Sequence, residues 1–322
     1  MTQEIGSNAP PAPLRGAPPP PRRRPFGRLL TAMVTPFRPD RTIDVDGAGR
    51  LASYLVDEQR NDALVINGTT GEAPTTTDAE KETLLRAVVE AVGDRAKVVA
   101  GVGTNDTRHT IELAHAAEKA GAHGLLVVTP YYNKPPQSGL VAHFTAVADA
   151  AGLPMLLYDI PHRAGTAIAT ETLCRLAEHE RIVGVKDAKG NLAETSWVLR
   201  RTDLSYYSGE DALTLPLLAV GGVGVVGTST HLTGAGTKQL IEAYERGEVS
   251  EATRRHRALL PLYTGIFRSQ GTILVKAAMN ASGLPAGPVR PPLVDATDAE
   301  LAQLRADCAE AGLPLPAAVS AA

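Results

Sequence analysis

The sequence predicts an α/β fold, a (β/α)8 TIM barrel followed by a C-terminal helical extension, and three observations lead there. Short apolar runs with strand character recur eight times, at 29–34, 63–67, 97–101, 124–128, 154–158, 182–186, 205–208 and 223–226. Helical patterns near 45–59, 78–92, 107–120, 138–151, 169–179, 191–202 and 211–220 lie between them, so the strands run parallel. The least ordinary residues follow the strands directly, where a barrel of this kind carries its active site. An open doubly wound sheet would instead need a dinucleotide or phosphate loop after the first strand, and Thr35-Pro36-Phe37 is neither.

Taken in order, residues 1–25 combine Pro10, Pro11, Pro13, Pro18 to Pro21 and Pro25 with Arg15 and Arg22 to Arg24, without an apolar stretch. This reads as a disordered, polyproline-like tail and not as a secretory signal. The barrel is expected over 26–235. Its second helix opens on Thr77 as N-cap with Asp78, Glu80 and Glu82 in the first turn, where acidic groups suit the helix dipole. The third opens at Asn105-Asp106-Thr107. From 236 to 322 the pattern turns wholly helical, at 237–247, 249–263, 271–282 and 298–311, interrupted by Pro285, Pro288, Pro291 and Pro292.

Composition excludes several function classes. With 322 residues, 43% of them hydrophobic, the chain can bury one large core. A net charge of −3 offers no basic field for nucleic acid or an anionic membrane. No apolar run approaches the length of a membrane span, and the chain reads as cytoplasmic. Cys174 and Cys308 form no CxxC pair, which argues against a disulfide framework or a cysteine zinc site. The eight histidines show no HxH or HExxH spacing, which argues against a metal-dependent hydrolase or zinc aldolase. His109 and His115 read as surface or packing residues. The Gly222-x-Gly224-x-x-Gly227 pattern precedes and overlaps a strand, so it lacks the context of a dinucleotide loop.

The chemistry is expected around Lys186. Ile182-Val183-Gly184-Val185 runs uncharged into this lysine at the end of the sixth strand. Burial there penalises the ammonium form, and a lowered pKa makes the amine a nucleophile toward carbonyl carbon. Gly68-Thr69-Thr70-Gly71 follows the second strand, with glycines for a tight turn, backbone N–H groups for a carboxylate and hydroxyls for proton relay. Tyr158 puts a phenol at the end of the fifth strand, and Arg163 a carboxylate-binding cation five residues later. Tyr131-Tyr132 stands out after the fourth strand because aromatic residues make up only 4% of the chain.

Asn67-Gly68-Thr69-Thr70-Gly71-Glu72, Pro130-Tyr131-Tyr132-Asn133, Tyr158-Asp159-Ile160-Pro161-x-Arg163 and Gly184-Val185-Lys186-Asp187 together resemble the dihydrodipicolinate synthase family of pyruvate-dependent class I aldolases, over about residues 28 to 295. The resemblance implies a Schiff base between Lys186 and pyruvate, with Tyr158 as the acid/base phenol. It implies that Thr70 links Tyr158 to Tyr132 of a neighbouring subunit. Thr69 and Thr70 would hold the pyruvate carboxylate, Arg163 the carboxylate of L-aspartate 4-semialdehyde, and Val226 would approach the lysine through its carbonyl. A dimer of dimers and no metal or organic cofactor are implied as well. A sibling aldolase acting on a sugar acid or another aldehyde, and a non-catalytic keto-acid-binding barrel, are the competing readings; Arg163 speaks against the first and the full set of relay residues against the second.

The chain departs from the family pattern at Asp159, where asparagine is common and a rim-facing side chain is expected, and at Arg60, where glycine is usual. It departs again where lysine inhibits many relatives. Asn105 and Tyr131 match, but Ala73, Pro74, Asp78, Lys81 and His109 replace the serine, histidines and acid of sensitive enzymes. Weak or absent feedback inhibition is the expectation.

Overall fold

The computed structural model describes residues 23–315. Eight parallel strands close into a barrel in chain order: β1 (Leu29–Ala32), β2 (Ala63–Ile66), β3 (Lys97–Gly101), β4 (Gly124–Val128), β5 (Met155–Asp159), β6 (Ile182–Asp187), β7 (Ser205–Ser208) and β8 (Gly224–Gly227). Around it run α1 (Val45–Asp57), α2 (Asp78–Val92), α3 (Thr107–Lys119), α4 (Gln137–Ala150), the short α5 (Pro161–Ala164), α6 (Thr170–Leu176), α7 (Leu192–Arg201) and α8 (Thr214–Ala219). Then follow α9 (Thr230–Glu245), α10 (Val249–Gly265), α11 (Gly271–Ala281) and α12 (Asp298–Glu310).

All eight expected strands form, with shifted ends. Strands β5 and β6 reach Asp159 and Asp187 because these two residues extend their ladder. Strand β1 stops at Ala32, short of the antiparallel bridge between Phe37 and Ile43. Helix α9 starts at Thr230, so the boundary expected at 235/236 falls within it. Most of the tail expected over 1–25 lies outside the described residues; Arg24, near its end, pairs with Glu245 of α9.

Side-chain alternation along the strands separates two cores. Leu30, Val65, Val99, Leu126, Leu156, Tyr158 and Val226 pack inside the barrel. Leu64, Val98, Leu125, Leu157 and Val185 face outward into the larger core under the helices. The register pairs Gly184 with both Leu156 and Ser205. A Cβ on Gly184 would lie 2.3 Å from the Ser205 carbonyl oxygen and 2.9 Å from Leu156, so only glycine fits there. Thr77 and Glu80 form the capping box that starts α2 directly after the β2 loop. Among the described residues no helix is long and apolar enough to cross a membrane.

Candidate active site

The parallel register sets Tyr158 opposite Lys186. The lysine Nζ lies 4.2 Å from the centroid of the Tyr158 ring, and both side chains are buried. Burial drives the Lys186 amine down to about 8; Arg163 pushes in the same direction, while Asp211 and Glu210 oppose it. Burial also pushes the Tyr158 phenol well above its ordinary range, so it stays protonated as a donor at neutral pH. Arg163 and a hydrogen bond with the Thr69 side chain pull the other way.

The relay is expected through Thr70, and the threonine side chain that acts on the Tyr158 phenol here is its neighbour. The hydroxyl reaching Tyr158 belongs to Thr69, whereas Thr70 Oγ1 lies 3.2 Å from Thr228 Oγ1 on the β8 side. Neighbouring residues of a tight turn point in different directions, and this turn aims Thr69 at the phenol. Within it the N–H groups of Gly71 and Ala73 donate to the Gly68 carbonyl and that of Glu72 to Thr69. The amides of Thr69 and Thr70 make no backbone hydrogen bond among the described residues, which suits them to a carboxylate.

A cavity of about 240 Å³ joins Thr69, Thr70, Tyr158, Arg163, Lys186 and Glu210. Burial beside Asp211 raises the Glu210 carboxyl, and Lys186 and Arg163 restrain it. Asp211 accepts from the N–H groups of Thr228 and Ser229 at 3.2 and 3.0 Å, tying the β8 turn beneath the lysine. Residues Phe267, Ser269, Gln270, Gly271 and Thr272 close the cavity from the C-terminal extension. Sequence reasoning missed this contribution, because a helical pattern carries no sign of which strand end it caps. Val226 is buried inside the barrel and does not line the cavity.

Tyr132 is not brought to the site by its own chain. It is 89% exposed and holds a left-handed φ of 73°. Asn133 anchors its loop by donating to the Asn105 carbonyl at 2.9 Å. Asp159, expected at the rim, is buried. It accepts from the Ile168 N–H at 3.2 Å and stands 3.5 Å from Lys189 Nζ; burial raises its carboxyl to about 6. Arg60, where the resemblance expected glycine, takes a φ of 60° and pairs with Glu242 at 2.9 Å.

A second cavity of about 450 Å³ shares Thr69, Tyr158 and Arg163 with the first and extends to Ala73, Asp78, Lys81, Asn105, His109 and Tyr131. Lys81 Nζ donates to the Thr76 carbonyl at 2.5 Å, and His109 meets Asp78 at 2.9 Å. Among the described residues no group of three or more histidine, cysteine, aspartate or glutamate side chains is placed to hold a metal ion.

A buried amine with a depressed pKa at the carboxyl end of a barrel strand, with a phenol beside it and a turn of unengaged amides lining the same cavity, defines a barrel equipped for Schiff-base chemistry. Comparison with known proteins agrees. Residues 25–311 match the model of the dihydrodipicolinate synthetase family, and the chain belongs to that family. It is 70% identical over 291 residues to the 4-hydroxy-tetrahydrodipicolinate synthase of Acidothermus cellulolyticus, covering 90% of this chain and 94% of that one. It is 61% identical to the 4-hydroxy-tetrahydrodipicolinate synthase 2 of Streptomyces coelicolor, covering 90% and 97%. Among solved structures, that of the Cyanidioschyzon merolae enzyme with lysine bound superposes with a TM-score of 0.88 at 43% identity, covering 90% of this chain and all of the other.

Proposed function

We propose that the chain is a lyase that condenses pyruvate with L-aspartate 4-semialdehyde to 4-hydroxy-tetrahydrodipicolinate, the cyclic precursor of diaminopimelate and lysine, through a Schiff base on Lys186. The placement of Lys186 beside Tyr158, with its amine lowered to about 8, carries this reading. The neutral amine adds to the pyruvate ketone, and the phenol donates and recovers protons as the carbinolamine loses water. The iminium withdraws electrons, so the methyl group gives up a proton and becomes an enamine carbon. That carbon attacks the aldehyde, and the semialdehyde amine then displaces Lys186 and closes the ring.

The amides of Thr69 and Thr70 hold the pyruvate carboxylate, and Arg163, which lines both cavities, holds the carboxylate of the semialdehyde. Thr69 passes protons between Tyr158 and Tyr132 supplied by a second copy of the chain. The exposure of Tyr132, on a loop anchored beside the larger cavity, supports that exchange and an oligomer, a dimer of dimers in this reading. Both substrates are small charged molecules that do not cross membranes unaided, which suits a cytoplasmic enzyme.

A coupled assay tests the reading. Purified enzyme receives pyruvate and aspartate semialdehyde, and the reductase that consumes the cyclic product reports through NADPH oxidation. Turnover that requires both substrates is expected. Absence of turnover with both present, or turnover that persists with either omitted, would overturn it.

A further inference from the structure

Two residues past Thr70, Glu72 lines neither cavity, and the chemistry above gives it no role. Its backbone holds φ 57°, in the left-handed region that a glutamate adopts only where its surroundings impose it. Asn67, before the turn, does the same at 61°. The Glu72 carboxylate meets Lys276 Nζ of α11 at 2.6 Å, with the two side chains 1% and 2% exposed. Lys276 also donates to the Pro288 carbonyl at 2.8 Å and stands 4.1 Å from the centroid of the Phe37 ring. The other Glu72 oxygen accepts from the Arg290 N–H at 2.8 Å. One helical turn before Lys276, Thr272 donates to the carbonyl of Thr70 at 3.1 Å.

Stability alone explains this pair poorly, because removing two charges from water costs much of what their attraction returns. A fixed position is what it supplies. We propose that the buried Glu72–Lys276 ion pair positions the Thr69–Thr70 turn for proton transfer, clamping it from the C-terminal extension. Neither residue touches substrate, so both are positioning residues, and the inference rests on the role given above to Thr69. The pair explains why the extension does more than cap the barrel: α11 reaches the catalytic turn through its side chains at 272 and 276, and the chain after it through the backbone of Arg290.

The test uses the full-length enzyme with Lys276→Met and with the double variant Glu72→Gln/Lys276→Met, which leaves no lone buried charge. A displaced relay lowers kcat by roughly 10- to 100-fold in both, because small misplacements of reacting groups are costly. The KM for the semialdehyde stays within about threefold, since Arg163 lies off the turn, while the KM for pyruvate rises with the displaced Thr69 and Thr70 amides. Added to Thr69→Val, the Lys276→Met change costs less than about threefold more, because the hydroxyl it positions is already gone. A folded double variant with kcat within about twofold of wild type, or full additivity with Thr69→Val, would overturn the proposal. Loss of the native circular dichroism signal in both variants would overturn it too, making the pair a device of stability. Failure of the functional reading looks different, since the wild-type enzyme itself would then not turn over.

Discussion

Tyr158 and Lys186 face each other across the β5–β6 ladder, with the amine 4.2 Å from the phenol ring centroid. The same register that builds the sheet therefore sets the amine beside the phenol, and no loop needs to move to bring the two together.

The hydroxyl next to that pair separates two neighbouring threonines. Thr69 hydrogen-bonds Tyr158 and Thr70 contacts Thr228. Thr69→Val is expected to lower kcat by about 100-fold, the usual scale of an acid–base contribution, and Thr70→Val by no more than about tenfold. Steady-state kinetics on both variants checks the order. Equal losses, or a larger loss at Thr70, would return the relay to Thr70.

The pH profile follows from Lys186. Its amine is held near 8 in the fold, against about 10.4 for an ordinary lysine. The neutral form is the nucleophile, so kcat/KM for pyruvate should rise with pH and level off above about 8. A limb still rising at pH 10 would mean that burial leaves the amine unperturbed.

Tyr132 is expected to act in the neighbouring subunit. Mixing Lys186→Ala chains with Tyr132→Phe chains and allowing subunit exchange then rebuilds intact sites in hybrid dimers. Random pairing makes half the dimers hybrid with one good site each, so activity returns to about a quarter of wild type. No recovery despite proven exchange would place Tyr132 outside the partner's site.

Lysine inhibition should be weak or absent. The Lys81 ammonium faces the larger cavity, and His109 ties up Asp78, the acid there. A second ammonium is therefore repelled instead of captured. Inhibition by sub-millimolar L-lysine in the coupled assay would contradict this.

Much of this molecule was legible in the sequence, for identifiable reasons. Eight apolar runs of strand length with helices between them leave few alternatives to a closed barrel, and Lys186 ends its run with an unmistakable change from apolar to charged. Periodicity says which face of a strand is inside but not how a turn orients adjacent residues, so Thr69 and Thr70 could not be told apart. Asp159 was expected at the rim because it follows Tyr158 at a strand end. The ladder instead continues through it, and its alternation sends the side chain outward, under the helices, to Lys189. The Glu72–Lys276 pair spans about two hundred residues of chain, and neither residue carries a local signal of the other.

The most direct test of the central claim is borohydride reduction of the enzyme in the presence of pyruvate alone, followed by peptide mass spectrometry. The account predicts one stable adduct per chain, on Lys186, absent from Lys186→Ala protein that remains folded. An adduct on another lysine, or none at all while the enzyme still turns over, would contradict it.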